Sequence, residues 1–404
     1  MNILYLTISN LNLKERGLYQ DLINGLKERG HNITLVMANE ARVLNKTIFL
    51  KENNINVLRI KVGNLFGVNF IKKGINNILI EKKFKKGIKK YLKDKNFDLI
   101  LYATPPVTFA NVIEYLKKEY NCKTYLMLKD IFPQNAIDIG LFKDKGIIHK
   151  FFRKKEKKLY KLSDFIGCMS KKNMKYLLEN NKEINEEKVE VFPNTINISN
   201  LEDNTSLEYR KKYGVKDDCI LYVFGGNLGK PQGLSFLMKG IKSIENYDKA
   251  YFFIVGDGSE KEDVKSFASK TKNITFIDRL PKEKYENLIK ECDVGILSLD
   301  YRFTIPNYPS RTLSYMDKGM PILACTDKNT DIKELIEKEA KCGKWCYSND
   351  IDSFKESIEY FYINKEKLKD IGLNGRRFLE ENFNVKKSIT ILEDHFNEGE
   401  KIYV

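Results

Sequence analysis

Short apolar runs alternate with longer stretches in which apolar residues recur every three or four positions, and this rhythm fills the chain twice. In the first half, the runs Ile3–Ile8, Ile33–Ala38, Val57–Val62, Asp98–Thr104, Lys123–Leu128, Phe165–Met169 and Val189–Phe192 predict strands, separated by helix-period segments such as Gly17–Arg29. The second half resumes it with Ile220–Phe224, Tyr251–Val255, Ile274–Ile277, Val294–Leu299 and Pro321–Cys325. Continuous apolar strands joined through helices build parallel sheets covered on both faces. Two doubly wound α/β domains are therefore predicted. Phe192-Pro193-Asn194-Thr195 and the polar run Ser199–Ser206 mark the expected linker.

One amphipathic segment stands out. From Leu65 to Leu92, Phe70, Ile71, Ile75, Ile78, Leu79, Phe84, Ile88, Tyr91 and Leu92 recur at helical spacing with lysines between them. Two destinations fit this pattern: an interfacial helix on anionic lipid, or a helix packed on a sheet with a solvated lysine face. Charge makes the first worth considering. The net charge is +15; Lys61–Lys95 carries eleven lysines against two acids, and Lys143–Lys161 carries nine basic residues against two acids. Those segments contribute +9 and +7, so the remainder is near neutral. A surface so polarised suits a membrane face or a nucleic acid. An alternative is a lysine-rich composition with no partner.

No apolar run approaches the ~18 residues of a membrane span, and Met1 leads into a strand pattern without a targeting segment. A soluble, cytoplasmic protein is expected. The seven cysteines are odd in number and sit mostly in apolar runs, as reduced buried thiols do. Cys342 and Cys346 could share a helical face, but no second ligand pair accompanies them, so no metal site is expected. His31, His149 and His395 are the only histidines, and none follows a predicted strand. Ser/His/Asp and Cys/His nucleophile schemes are thereby disfavoured.

In open α/β sheets, ligands bind beyond the carboxyl ends of the strands, and several such ends carry chemistry here. Ile8-Ser9-Asn10 leads through a polar loop to Arg16-Gly17, and Lys123–Leu128 runs into Lys129-Asp130. Asp130 is the carboxylate chosen for acid, base or positioning work, with a helix cap or a salt bridge as the structural alternative. The richest segment is Tyr222-Val223-Phe224-Gly225-Gly226-Asn227-Leu228-Gly229-Lys230-Pro231-Gln232-Gly233, where glycines permit close approach of a phosphate and Lys230 can neutralise it. Gly256-Asp257-Gly258-Ser259 and Asp278-Arg279-Leu280 close the next two strands. Finally, Arg302–Thr326 reads as loop, helix, strand: Ser310 is an expected N-cap and Arg311–Lys318 a helix stopped by Gly319. Unpaired N–H groups at that helix start, with Arg311 beside them, would favour a phosphate.

In order, GGNLGKPQG, VGDGSE, FIDRLPKEKY, CDVGILSL and YPSRTLSYMDKGMPILA resemble the nucleotide-sugar-binding half of glycosyltransferase family 4. The resemblance extends to a Pro193-Asn194 hinge and a closing C-terminal helix, and is similar more narrowly to capsule and O-antigen transferases, some handling N-acetyl-fucosamine-type sugars. It implies the GT-B fold, α/β with two Rossmann-like domains facing across a cleft. Their expected extents are 1–196, completed by a C-terminal helix about 383–404, and 197–382. Carried over by residue, Gly226, Asn227, Gly229, Lys230 and Arg311 face a donor diphosphate, with Gln232, Gly256 and Gly258 in the same donor site. Ser310 and Thr312 lie at the helix start, Arg279 borders the base, Gly17 approaches from the other domain and Asp130 lies on the acceptor side. Asp130, Lys230 and Arg311 are the residues expected to carry catalysis. The family's paired glutamates would fall on Pro306 and Ser314, so Ser314, or Asp317 three residues on as a substitute, is expected to serve the ribose. Asp278 stands where a glycine is frequent.

The resemblance implies a retaining transferase, moving an N-acetylated hexose from a UDP donor to a polyprenyl-diphosphate-linked saccharide without a metal or other cofactor. Its expected location is the cytoplasmic face of an anionic inner membrane. Alternatives are a sugar-nucleotide epimerase of the same fold and, in another class, a basic nucleic-acid-binding protein. The first would want more acid/base side chains around the sugar. The second would want exposed aromatics among the lysines, whereas those here fall at core spacing, so no nucleic-acid partner is expected.

Overall fold

The computed structural model describes residues 1–40, 43, 46–64, 70–201 and 207–396, and for 70–78 the backbone alone. The chain forms two units, residues 1–197 with the helix that starts at Val385, and Ile198–Asn384.

In the first unit the described strands are β1 (Asn2–Thr7), β2 (Asn32–Glu40), β3 (Ile48–Glu52), β4 (Ile55–Val62), β5 (Leu99–Ala103), β6 (Lys123–Leu128), β7 (Phe165–Cys168) and β8 (Val189–Val191). They lie in the order β3-β4-β2-β1-β5-β6-β7-β8. Every pairing is parallel except that of β3 with β4, and β3 is the exposed-edge strand. β5 is buried from end to end and β1 from Ile3 onward, which is why they read as continuous apolar runs. The chain winds one way from β1 to β2 and the other way to β5, so the switch point lies between β1 and β5.

The helix Phe70–Tyr91 has its described apolar face on this sheet. Ile80, Phe84, Ile88 and Leu92 are fully buried, and a Cβ on Gly87 would stand 3.0 Å from Ile60 Cδ1. Burial stabilises by about 1.5–3 kcal/mol for each large side chain. Laying this face on lipid would forfeit that packing. The interfacial-helix reading is thus corrected for residues 79–92, whose lysines line the outer side; residues 65–69 lie outside the described residues.

The expected linker residues Phe192 to Thr195 are also packed. Phe192 is buried 5.1 Å from the Tyr125 ring, and Thr195 Oγ1 lies 2.8 Å from Ser388 Oγ on the helix Val385–Asp394. That helix contributes Val385, Ile389 and Leu392 to the first unit's core. His31 reaches Glu393 at 2.9 Å and His395 reaches Glu190 at 2.7 Å, so both histidines hold this helix in place. Residues 202–206 of the expected linker lie outside the described residues.

The second unit has β9 (Ile220–Asn227), β10 (Ala250–Asp257), β11 (Ile274–Asp278), β12 (Val294–Ser298), β13 (Ile322–Thr326) and β14 (Gly343–Tyr347), all parallel, in the order β11-β10-β9-β12-β13-β14. Its switch point falls between β9 and β12. All seven cysteines are free and buried, and Cys346 lies on β14 rather than on a helix shared with Cys342.

Candidate functional site

In the second unit, β9 continues through Gly225, Gly226 and Asn227, which pair with Val255, Gly256 and Asp257 of β10; Gly256 pairs in turn with Asp278. The glycine-rich segment therefore begins as strand, and only Leu228 onward is turn. That turn is nested in its neighbour: Leu228 N–H donates to Asp257 O at 2.9 Å, and Glu260 N–H donates to Leu228 O at 2.8 Å. A Cβ on Gly258 would overlap Leu228 O, and one on Gly256 would overlap Gly226 O. The single turn Lys230–Gln232 is then latched to the end of β12, because Ser298 Oγ donates to Gln232 O at 2.6 Å and Asp300 N–H to Pro231 O at 3.0 Å. These bonds put the turn at the switch point.

Arg311 reaches this cluster from the helix Arg311–Asp317. Its Cζ lies 5.3 Å from the Phe224 ring centre, and Gly226, at φ 132°, leaves the space its guanidinium fills: a Cβ there would overlap Nη2. Nη1 is buried without a hydrogen-bond partner, as is Oγ1 of the adjacent Thr312. Among the described residues no carboxylate pairs with the guanidinium. A buried donor is costly to leave without a partner, and the half-buried Arg311 carries one at Nη1.

The helix start contributes less than expected. Ser310 makes no side-chain cap, having helical dihedrals itself, and the N–H groups of Thr312 and Leu313 already donate to Pro309 O and Ser310 O, each at 3.2 Å. The expected Ser310 cap and free backbone N–H groups are thus corrected: these two N–H groups are already used within the helix start. Ser314 is exposed. Asp317 is not free to serve a ribose: it is buried, accepts from Ser199 N–H at 2.9 Å and Ser199 Oγ at 2.6 Å, and pairs with Arg376 Nη1 at 3.1 Å. Both side chains of that pair are only 8% exposed. Asp317→Ala should accordingly destabilise the protein by about 3–5 kcal/mol while leaving nucleotide affinity of the folded fraction unchanged. Denaturant melts beside calorimetric titration would check it.

Lys230 is exposed at the turn, and Asn227 is exposed at the end of β9. Arg279 is exposed past β11, two strands from β9, beside Asp278, whose carboxylate pairs with Lys261 at 2.5 Å. Glu260 ends the VGDGSE segment; burial raises its pKa, and Asp263 raises it further, against the pull of Lys230.

In the first unit, Asp130 follows β6. Thr104 Oγ1, at the end of β5, donates to Asp130 O at 3.0 Å, and Asn135 Nδ2 donates to Asp130 Oδ1 at 2.7 Å. Burial pushes the Asp130 carboxyl up to about 6, against the hydrogen bonds from Asn135 and Ile131. It is neither a helix cap nor half of an ion pair among the described residues: Pro133 precedes the next helix, and Lys129 extends over the Phe192 ring, 5.2 Å away. Gly17 precedes the helix Leu18–Glu28 in extended backbone, and its N–H donates to Asp21 Oδ1 at 3.2 Å.

Two family models match in sequence along the chain: "Glycosyltransferase Family 4" at residues 18–200 and "Glycosyl transferases group 1" at 205–378. The chain is a glycosyltransferase with a family 4 and a group 1 domain. The transferase is 25% identical over 299 residues to the probable glycosyltransferase WbjE of Pseudomonas aeruginosa, covering 71% of each chain. It is 23% identical over 214 residues to the O-antigen biosynthesis glycosyltransferase WclY of Escherichia coli, covering 52% of this chain and 56% of that one. HepE of Anabaena, solved in complex with UDP-glucose, matches at a TM-score of 0.71 and 15% identity, over 98% of the transferase and 100% of HepE. The fold is GT-B. Among the described residues of the transferase, no group of three or more His, Cys, Asp and Glu is placed to hold a metal ion, and no helix is long and apolar enough to cross a membrane.

Proposed function

We propose that the transferase moves a sugar, an N-acetylated hexose, from a UDP donor to a polyprenyl-diphosphate-linked saccharide with retention of configuration, in the assembly of a bacterial surface polysaccharide such as O-antigen. The observation that carries this reading is the unpaired guanidinium of Arg311 set against Gly226 at the switch point. The printed roles of WclY and the UDP-glucose bound to HepE support the product class and the nucleotide.

In this reading the diphosphate lies along Gly226, Asn227, Gly229 and Lys230, with Gln232, Gly256 and Gly258 shaping the pocket and Arg311 forking two phosphate oxygens. Ser310, Thr312 and Ser314 complete the phosphate and ribose end, and Arg279 borders the base. Negative charge grows on the departing UDP as the glycosidic bond breaks, and fixed cations stabilise that state more than the ground state. Arg311 and Lys230 do this without a metal. Asp130, with its raised pKa, acts on the acceptor hydroxyl.

A thermal-shift comparison of UDP, GDP, ADP and dTDP, with and without magnesium, tests the donor site. UDP should shift the melting temperature selectively and equally in both conditions. No shift with UDP would overturn the donor assignment, and a shift only with magnesium would overturn the metal-free one. Lys230→Ala should weaken UDP by about 1.5 kcal/mol, the low end for a charged bond because the lysine is exposed; titration calorimetry would read it as roughly a tenfold rise in Kd.

A further inference from the structure

The structure buries the apolar face of one basic helix and leaves another apolar surface uncovered. On the helix Ile147–Leu162, the inward face is Phe152, Glu156, Leu159 and Tyr160, the last three fully packed. The outward first turns carry Ile147, 89% exposed, Ile148, 52%, and Phe151, 39%; Leu141, just before the helix, is 42% exposed. Large aliphatic groups so exposed in one short segment mark an interaction surface rather than scattered surface leucines.

The charges around them select the partner. Lys143, Lys145, Lys150 and Lys154 are exposed, and among the described residues their ammonium groups make no ion pair, whereas Lys155, Lys157 and Lys158 are engaged by Glu81, Glu183 and Glu114. Ile147, Lys150, Phe151 and Lys154 share one helical face, alternating apolar and cationic groups. Aliphatic groups inserted among free lysines suit an acyl and headgroup boundary of negative charge. A nucleic acid would instead ask for aromatic platforms, and the exposed ends here are chiefly isoleucine and leucine.

We propose that the Leu141–Lys154 surface docks the protein on an anionic lipid bilayer, with Ile147, Ile148 and Phe151 inserted among acyl chains and the free lysines at the headgroup phosphates. This deepens, and rests on, the reading of a lipid-linked acceptor. Its link to that site is a cluster of rings: Phe151 contacts Phe152 at 5.2 Å, Phe152 contacts Phe132 at 4.9 Å, and Phe142 stacks on Phe152 at 5.9 Å. Phe132 is two residues past Asp130. The docked surface and the carboxylate loop therefore share one packed body, which holds Asp130 at a set depth relative to the membrane and its lipid-borne acceptor.

The test is co-sedimentation of the full chain with phosphatidylcholine vesicles, with and without phosphatidylglycerol, in parallel with a UDP thermal shift. Wild type should sediment only with the anionic vesicles. Ile147→Ser/Ile148→Ser/Phe151→Ser should lower that partitioning about tenfold or more, since transferring these groups supplies the insertion free energy. Lys150→Gln/Lys154→Gln should lower it in a salt-dependent way. Every variant should keep the UDP shift, because all the altered side chains are exposed. Unchanged sedimentation of the triple variant, or failure of wild type to bind anionic vesicles, overturns the proposal. Binding to a single-stranded oligonucleotide in place of vesicles also overturns it and gives the basic surface to nucleic acid. Loss of the UDP shift in wild type with vesicle binding intact would instead sink the donor reading and leave the docking surface standing.

Discussion

Replacing Asp130 by Asn should lower the rate of sugar transfer by about 10²–10⁴-fold, the usual contribution of a general acid or base, without unfolding the protein. Asn135 Nδ2 donates to Oδ1, and an asparagine oxygen can accept the same bond, so the local geometry survives. What disappears is the ionisable proton site. Burial lifts that site to about 6, so the wild-type rate should rise with pH through about 6 if the carboxylate form works, and the variant should lose this limb. Stability should move the other way. A carboxyl raised in the folded state binds its proton more tightly there than in the unfolded chain, so its contribution is fully present below the unfolded pKa and lost as pH rises through about 6. Above that window the variant carries no charge to bury, and its melting temperature should equal or exceed that of wild type. A pH–rate profile beside melts at pH 8 checks both halves. A variant that is fully active at every pH would remove Asp130 from the chemistry.

Much of the frame was legible because the parallel strands are buried on both faces and so write themselves as unbroken apolar runs. β6 is Lys123–Leu128 as read, and others differ by a residue or two at their ends. The misses have separate causes. β3 is an antiparallel edge strand, Ile-Phe-Leu-Lys-Glu, with little apolar excess, and β14 is interrupted by Lys344; neither announces itself without its neighbour. β9 runs on to Asn227, past the predicted Phe224, because β10 supplies pairing partners that glycine's low strand propensity does not foretell. Periodicity alone also could not say whether Phe84 and Ile88 meet a sheet or a lipid, since both burials have the same period. The site was harder still. Asp317 lies on the expected helix, but its partner Arg376 is 59 residues away, so its structural employment was invisible locally. The approach of Arg311 to Gly226 is likewise non-local. A phosphate role for Arg311 is expected from its place beside the helix start as well as from the family resemblance, and the space left by Gly226 and the orphaned Nη1 are consistent with it.

Arg311→Ala should weaken UDP binding by about 1.5–3 kcal/mol, as expected for a charge-assisted bond, or roughly 10- to 150-fold in Kd. The unliganded protein should not lose stability in proportion. A guanidinium that completed a network would destabilise the fold on removal, but Nη1 here has no partner to leave behind, and the group packs against Gly226 and the Phe224 ring. Arg311→Ala therefore separates the two readings of the residue: a large loss of nucleotide affinity with little change in the apo melting temperature marks a binding cation, and the reverse marks a packing residue. Arg311→Lys sharpens the distinction, since it keeps the charge but not the planar fork that can hold two phosphate oxygens. It should recover only part of the affinity. Gly226→Ala approaches the same contact from the other side. A methyl at that φ is strained and would displace Nη2, so affinity should fall although no charge is removed. If UDP bound Arg311→Ala as tightly as wild type, the anion at this switch point would have to be held by other groups, and the donor would have to be placed elsewhere on the second unit.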